Sequence, residues 1–454
     1  MSARRRAPRS PVRVKVARRS PDRRIPLSVR ARYAWPAVLA AWGTAWYASE
    51  SLRHRREQGH GYQLRGERLD IGDREFLRAA EALTAAPISD GNDVDLLING
   101  DEIFPAFIEA IEGAQRSVNL LTYVYWRGDI AQDIAGLLCR RAREGVEINV
   151  LLDWIGTVKM DRGLVRQMRD AGVCVAKFRP LRPYAVRRLN NRTHRKLLIA
   201  DGRLGLIGGV GIAEEWTGNA QDPEHWRDTH VRVRGPVVRH LQGAFAENWL
   251  EATGDALVGD DYLPELEPVN DGGPMQLVRS NAGVGDTNVE ALYFLAIESA
   301  QRTLDLTAAY FAPRPAFIKT LCDAAERGVD VRILVPGPHI DKEFVRIAGR
   351  AAYDELLDCG VEIFEYQPTM LHAKTMVVDG IWSSVGSVNF DNRSFQLHDE
   401  ATLCVQSERF ARELTEQFER DLDVSEAIRP ARWNGRPLHH RAAERALGLF
   451  RREL

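Results

Sequence analysis

Two short stretches of the chain place a histidine and a lysine where they could act together on a phosphate. Both have the order His, one residue, Lys, four residues, Asp, and they comprise His194, Lys196 and Asp201, then His372, Lys374 and Asp379. Alternate residues of a strand point to the same side, so each histidine lies beside its lysine. A lysine offers a point charge to a phosphate oxygen, and a neutral histidine can attack phosphorus or donate a proton near pH 7. The two stretches therefore predict a phosphoryl-transfer site.

The elements around the two stretches are also repeated. AIEGAQRSVNL at residues 110–120 and AIESAQRTLDL at residues 296–306 are identical at seven of eleven positions. Each copy continues with an aromatic strand, a helix and an apolar strand, RAREGVEINVLLD in one and AAERGVDVRILVP in the other. Short apolar strands that alternate with helices are typical of α/β units. We predict two duplicated α/β lobes, each a mostly parallel central sheet flanked by helices, with the active site at the lobe interface.

The two motifs resemble the signature of the phospholipase D superfamily, which is two copies of HxKx4Dx6GSxN. The second copy, HAKTMVVDGIWSSVGSVN, is complete and includes Ser387 and Asn389. The first copy, HRKLLIADGRLGLIGGVG, departs from the signature because Gly211 stands where the family has Asn. The resemblance implies an active enzyme whose phosphate contacts in the first lobe are weakened or moved, and a lobe without catalytic function is the alternative.

Longer stretches resemble bacterial cardiolipin synthases. They include WRDTHVRVRGPVVRHLQGAFAENW at residues 226–249 and SVNFDNRSFQLHDEATL at residues 387–403, and the likeness extends over residues 90–430. In that family an acidic residue downstream of each motif hydrogen-bonds its histidine. The resemblance assigns this role to Asp228 for the first copy and to Glu400 for the second. A carboxylate there would fix the tautomer and stabilise the imidazolium.

The resemblance also implies the mechanism. One histidine attacks a phosphodiester to form a phosphohistidine while the other protonates the leaving alcohol, and we assign His194 as the nucleophile and His372 as the general acid. Four groups hold the phosphate oxygens, so we expect no metal and no cofactor: Lys196, Lys374, Ser387 and Asn389. Asp201 and Asp379 belong to the motif, but each precedes Gly at a turn one strand length past its histidine. We expect them to brace the strand end rather than touch substrate.

The acceptor of the phosphoryl group decides the activity. A glycerol hydroxyl of phosphatidylglycerol would give cardiolipin, which is the activity we favour, whereas water would give phosphatidic acid. A nuclease of the same superfamily is a less favoured alternative, because residues 33–454 carry a net charge of −12 whereas tracking a nucleic acid backbone calls for a basic face. A lipid-binding relative without catalysis is the third alternative. The oligomeric state stays open.

Both ends of the chain favour a lipid surface as partner. The first 32 residues hold twelve Arg and Lys and one acid, Asp22, and the stretch from Tyr33 to Ser49 is uncharged with tryptophans at helical spacing. We expect a membrane-associated protein of the inner (cell) membrane, with the side of the catalytic body open. The predicted divisions are a disordered basic tail, an apolar membrane anchor or interfacial helix, a helical linker, the two lobes, and a basic amphipathic C-terminal segment: residues 1–32, 33–49, 50–89, 90–255, 273–430 and 431–454.

The cysteines predict a reduced compartment. Five are present, which is an odd number, and none forms a CxxC pair: Cys139, Cys174, Cys322, Cys359 and Cys404. Most lie inside apolar runs. We therefore interpret them as buried thiols rather than as disulfides or a zinc site.

Overall fold

The computed structural model describes residues 62–180, 190–282 and 286–437, together with residues 441, 444 and 447. The predicted basic tail, the predicted anchor and most of the predicted C-terminal segment lie outside these residues. In the described part of the chain, none of the helices combines the length and the apolar character needed to cross a bilayer.

The first lobe is an α/β unit whose strands are short runs of buried Val, Ile and Leu. Its strands are β1 (Ile88–Ile98), β2 (Ser117–Thr122), β3 (Glu147–Asp153), β4 (Cys174–Phe178), β5 (Arg192–Thr193), β6 (Leu197–Ala200), β7 (Leu204–Gly208) and β8 (Thr229–Arg234). Its helices cover both faces of the sheet and are α2 (Asn99–Gly113), α3 (Asp129–Arg143), α4 (Arg162–Asp170) and α5 (Val238–Thr253). The preceding helix α1 (Arg74–Thr84), in the predicted linker, packs on the core of the second lobe.

The second lobe repeats this order of elements. Its strands are β9 (Gly273–Ser280), β10 (Thr303–Ala308), β11 (Phe311–Ala312), β12 (Asp330–Pro336), β13 (Glu362–Tyr366), β14 (Lys374–Val378), β15 (Trp382–Gly386), β16 (Phe390–Asp391), β17 (His398–Gln406) and β18 (Ser425–Ala427). Its helices are α6 (Asn288–Ser299), α7 (Pro315–Glu326), α8 (Glu343–Arg350), α9 (Tyr353–Asp358), α10 (Asn392–Gln396), α11 (Glu408–Asp423) and α12 (Pro430–Asn434). The predicted duplication of an α/β lobe is confirmed.

The two lobes share one mixed sheet. Its order is β18-β13-β12-β10-β14-β15-β17-β9-β1-β8-β7-β6-β2-β3-β4, and the antiparallel pair β1 and β9 joins the lobes. Along this order only β2-β3-β4 and β10-β12-β13 run parallel, and the short β5 adds one parallel pair with β17. The prediction of mostly parallel sheets is wrong in this respect. Each catalytic strand returns through a tight hairpin to the next strand, and a hairpin produces an antiparallel pair.

The motif aspartates close these hairpins. Asp201 and Asp379 both have φ of 54°, and φ of the glycine after each is also positive. Two successive residues with positive φ are typical of the turns that match the twist of antiparallel strands. The Asp201 carboxylate accepts hydrogen bonds from the backbone N–H groups of residues 115–117 at 2.7–2.9 Å, and Asp379 accepts from those of residues 301–303 at 2.7–2.9 Å. Those amides belong to the repeated segments Gln-Arg-Ser and Gln-Arg-Thr, which lead into β2 and β10. The expectation that both aspartates brace the strand end is confirmed.

Helices α5 and α11 cover an apolar core to which both lobes contribute, including Phe245 and Phe410. Arg195, which is fully buried beside the first motif, donates to the backbone carbonyls of Glu400 at 3.1 Å, Ala244 at 2.9 Å and Ser280 at 3.0 Å. These carbonyls lie in both lobes. The segment that carries His194 is therefore attached to the second lobe as firmly as to its own.

The cysteine prediction is wrong for one pair. Cys322 on α7 and Cys359 after α9 form a disulfide, with Cα atoms 5.4 Å apart and a sequence separation of 37. The two helices pack side by side in the second lobe, and the spacing of the cysteines along the chain does not predict that contact. Cys139 and Cys404 are buried thiols as expected, whereas Cys174 is exposed.

Candidate active site

Each catalytic histidine is positioned by the opposite lobe. The segment before β6 pairs in parallel with the start of β17, and the His194 N–H donates to the Asp399 carbonyl at 2.8 Å. In the same way the segment before β14 bridges to Arg227, and the His372 N–H donates to the Arg227 carbonyl at 2.7 Å. Asp399 and Arg227 are the residues that precede the two predicted acids. The docking of the lobes therefore brings each histidine beside the other lobe's carboxylate.

The side chains follow this exchange. His194 Nδ1 lies 3.1 Å from both carboxylate oxygens of Glu400, and His372 Nδ1 lies 2.7 Å from Asp228 Oδ2. The expectation that each acid bonds the histidine of its own motif is therefore wrong, although the two acids themselves are the ones expected. Nδ1 of each imidazole donates to the carboxylate, so Nε2 carries the lone pair that can attack phosphorus or take up a proton.

Burial and neighbouring charges together set the protonation of these four groups. Burial, with a contribution from Lys196, lowers the pKa of His194 to about 3, and burial with Lys374 lowers the pKa of His372 to about 4. Burial by itself would raise the pKa of Asp228, but the charges of His372 and Lys374 lower it to about 2. Burial would likewise raise the pKa of Glu400, but His194 holds that pKa well below its ordinary value. Neutral imidazoles and ionised carboxylates result at pH 7.

The two motif lysines face one common space. Lys196 donates to the His194 carbonyl at 2.7 Å, and Lys374 donates to the His372 carbonyl. Burial and then the charge of Lys374 lower the pKa of Lys196 to about 7, while burial lowers the pKa of Lys374 to about 8. Two buried ammonium groups that repel each other are stabilised by an anion placed between them. The site is thus prepared electrostatically for a phosphate.

The glycine-serine positions of the two motifs differ in what they contact. Ser387 donates to Glu400, and Asn389 Oδ1 is buried without a hydrogen-bond partner among the described residues. In the first motif, a Cβ on Gly209 would lie 2.1 Å from Asp228 Oδ1. A Cβ on Gly211 would lie 2.7 Å from the Val124 Cβ. The first lobe therefore has no room for the serine and asparagine side chains of the signature.

Restoring the missing asparagine is expected to harm the protein. Gly211→Asn forces a side chain against Val124, and overpacking of this kind costs about 1–3 kcal/mol of unfolding free energy. We expect a lower denaturant midpoint and no gain in turnover. Gly136→Asn is the control, because a Cβ at that helical position meets nothing within 4 Å. A variant at position 211 with wild-type stability and faster turnover would contradict the steric explanation.

Aromatic side chains that the motifs do not include line the histidines. The Tyr123 ring lies 5.1 Å from the His194 ring, and Tyr310 lies 6.4 Å from the His372 ring. Trp216 lies 5.2 Å from the His372 ring and donates its indole N–H to Asp228 at 2.8 Å. The repeated aromatic strands after β2 and β10 were a sequence signal for the two tyrosines. Trp216 lies in an insertion of the first lobe and had no such signal.

A third histidine stands beside the first. The His398 ring lies 5.5 Å from the His194 ring, and its Nδ1 lies 3.7 Å from Glu400 Oε1. The potential ligand atoms of His194, His398 and Glu400 all lie within 4.8 Å of one another, which is close enough to hold a metal ion. Because His194 and Glu400 also form the catalytic pair, an ion bound there would compete with their role in phosphoryl transfer.

The buried histidine His230 should make the free energy of unfolding depend on pH. Burial lowers the pKa of His230 to about 3, whereas an unfolded histidine titrates near pH 6.5. Between these values the unfolded state binds the extra proton, so His230 stabilises the fold above pH 6.5 and this contribution is lost on acidification. The difference in unfolding free energy between wild type and His230→Gln should fall by about 1.4 kcal/mol per unit from pH 6 to pH 4.5. Denaturant titrations at several pH values measure it, and a constant difference would refute the prediction.

The geometry can be compared with known proteins. The family described as "Cardiolipin synthase, PLD-like domain" matches residues 107–249 and 293–422. Cardiolipin synthase of Geobacillus sp. (strain WCH70) is 35% identical over 382 residues, covering 83% of this chain and 76% of that protein. Cardiolipin synthase 2 of Bacillus anthracis is 35% identical over 378 residues, covering 83% and 73%.

Among solved structures, the phosphatidylserine synthase of Haemophilus influenzae Rd KW20 shares the fold. The TM-score is 0.63 at 13% sequence identity, and the alignment covers 84% of this chain and 98% of that one. The resemblance predicted from the two motifs is confirmed. The chain belongs to the cardiolipin synthase family of phospholipase D-like proteins.

Proposed function

We propose that the protein transfers a phosphatidyl group from one phosphatidylglycerol to another, forming cardiolipin and releasing glycerol. The observation that carries this proposal is the pair of buried imidazoles, each held through Nδ1 by a carboxylate and flanked by a lysine of its own motif. Membership of the cardiolipin synthase family supports the choice of phospholipids as substrates.

The first half of the reaction forms a phosphohistidine. Nε2 of His194 attacks the phosphorus of the donor, and the bond from phosphorus to the headgroup oxygen breaks. His372 donates its Nε2 proton to that oxygen, and glycerol departs. A phosphodiester anion at the site favours protonated His372, whose pKa burial otherwise lowers to about 4, and Asp228 stabilises the imidazolium.

The second half reverses the roles of the groups around the same phosphorus. The glycerol hydroxyl of the acceptor gives its proton to His372, and its oxygen attacks the phosphohistidine. The bond from phosphorus to nitrogen breaks and His194 returns to its neutral form. Throughout, Lys196 and Lys374 neutralise the non-bridging oxygens, and the side-chain N–H groups of Asn389 can donate a further hydrogen bond to them.

We also propose that the site faces the surface of the inner membrane. Two large apolar side chains are exposed, Val158 at 68% in the loop after β3 and Phe344 at 51% in the first turn of α8, next to the loop after β12. The first loop packs on Trp126 and the second on Tyr310, so both lie on the side of the molecule where the histidines are. Apolar tips beside a lipid-binding site suit the interface of a bilayer.

The experiment is to incubate the detergent-purified full chain with phosphatidylglycerol alone, in EDTA, and to identify the lipid products by mass. Cardiolipin and glycerol in equal amounts are the expected products, and they should disappear in His194→Ala and His372→Ala proteins. Phosphatidic acid as the sole product would instead establish a hydrolase. If no phospholipid is consumed while a nucleic acid is cleaved, the proposed substrate class is wrong.

A further inference from the structure

A cation at the edge of the site has no role in the mechanism above. Lys342 follows β12 and is exposed, and its ammonium lies 4.4 Å from the centre of the Tyr310 ring. Tyr310 is held in place because its hydroxyl donates to Asp341 Oδ1 at 2.7 Å. The Tyr310 ring in turn lies 6.4 Å from the His372 ring. The two ring distances together place the ammonium no farther than about 11 Å from the His372 imidazole.

Lys342 is also free to bind an anion. Its charge is among those that lower the pKa of both Lys196 and Lys374, so its field reaches the phosphate position. The neighbouring carboxylate of Asp341 is engaged by the Tyr310 hydroxyl. In the described part of the chain, the Lys342 ammonium contacts the Tyr310 ring and forms no ion pair, although its charge also acts on the buried Asp391 carboxylate.

We propose that Lys342 binds the phosphate of the acceptor phospholipid, a second phosphate subsite beside the catalytic one. This inference rests on the proposed function. The acceptor hydroxyl must approach His372, which removes its proton, so the rest of the acceptor lies on the His372 side of the site. In the product the two phosphorus atoms are separated by six bonds, a span of at most about 7–8 Å. An ammonium that contacts phosphate oxygen at about 2.8 Å covers the remaining distance to the Lys342 position.

Such a subsite would select the acceptor. Water and free glycerol carry no phosphate, whereas the glycerol hydroxyl of phosphatidylglycerol lies three carbons from one. A charge-assisted contact made by the phospholipid acceptor alone favours cardiolipin over hydrolysis and over exchange of the headgroup. The subsite therefore acts on specificity rather than on formation of the phosphohistidine.

The first lobe provides a matched control. Lys159 occupies the corresponding loop after β3, is exposed, and stacks in the same manner, with its ammonium 3.9 Å from the Trp126 ring. That loop lies beside Tyr123 and hence on the His194 side. Both lysines should attract anionic vesicles equally. Lys342 is one aromatic ring away from His372, whereas two rings, Trp126 and Trp216, separate Lys159 from it.

The test compares Lys342→Gln, Lys342→Arg and Lys159→Gln on phosphatidylglycerol vesicles that contain isotopically labelled glycerol. Three products are counted in one reaction: cardiolipin, phosphatidic acid and phosphatidylglycerol that has gained the label. We expect Lys342→Gln to lower the ratio of cardiolipin to the other two products about tenfold or more, because a charged hydrogen bond is lost. Lys342→Arg should restore most of the ratio, and Lys159→Gln should keep the wild-type ratio.

The outcomes separate this inference from the proposed function. A wild-type protein that consumes no phosphatidylglycerol would overturn both. Turnover in wild type with an unchanged product ratio in Lys342→Gln would overturn the subsite and leave the proposed function standing. An equal fall in the ratio for Lys159→Gln would also overturn it, because general attraction to an anionic surface would then be sufficient.

Discussion

Replacing His194 by alanine is expected to lower phosphatidyl transfer by at least about 10³-fold, because His194 is the residue to which we assign the bond to phosphorus. His372→Ala should cause a loss of similar size with phosphatidylglycerol, whose glycerol leaves as a poor alkoxide. Unfolding curves of both variants should accompany the rates, to show that the loss of activity is not caused by loss of the fold. His240→Ala is the control, since His240 is a partly exposed histidine on α5.

The roles of the two histidines can be told apart with a second substrate. A phosphatidyl ester of p-nitrophenol releases a stable anion and needs no general acid. His372→Ala should therefore release p-nitrophenol in a burst and accumulate the phosphohistidine, whereas His194→Ala should show no burst. The opposite pattern would assign the nucleophile to His372, and a burst in both variants would show that neither histidine is required as the nucleophile.

The second large effect is expected from the carboxylates. Asp228→Asn and Glu400→Gln remove the charges that orient the imidazoles and stabilise their protonated forms, and we expect losses of about 10²–10⁴-fold with phosphatidylglycerol. If the variants elute and unfold like the wild type, the losses are catalytic and do not come from a damaged fold. Asn and Gln keep the size of the acids, so the buried surroundings of Asp228 and Glu400 are preserved.

The exchange of partners between lobes makes a sharper prediction. With the p-nitrophenyl ester and a His372→Ala background, Asp228→Asn should have little further effect, because its imidazole partner is already absent. Glu400→Gln in the same background should still reduce the burst rate, since it acts on His194. If each acid served the histidine of its own motif, Glu400→Gln would be the silent change and Asp228→Asn the harmful one.

The sequence predicts which residues take part in the chemistry better than it predicts which of them are in contact. The duplicated motifs identified both histidines and both lysines, because residue types and spacing can be read from the chain, and the family resemblance supplied both acids. The pairing of His194 with Glu400 depends on how β5 docks against β17, which joins segments about 200 residues apart and leaves no local pattern. The same reason hid the disulfide between Cys322 and Cys359.

Two further differences come from packing. The Gly211 departure was visible in the motif, but its cause, the volume occupied by Val124 and Trp216, exists only once the insertion has folded over β7. The parallel character of the sheet was overestimated because the apolar runs of antiparallel strands buried on both faces read like those of parallel strands. The hairpin at Asp379 and Gly380 was the local signal against it.

The exchange of carboxylates also bears on the synthesis of the protein. The first lobe leaves the ribosome before the second, and until then it holds an imidazole without the glutamate that orients it. A half-made chain therefore contains no competent nucleophile, and phospholipids near the translation site are not exposed to a partial hydrolase. Catalytic competence begins in a single step, when β17, which carries Glu400, is inserted between β9 and β15.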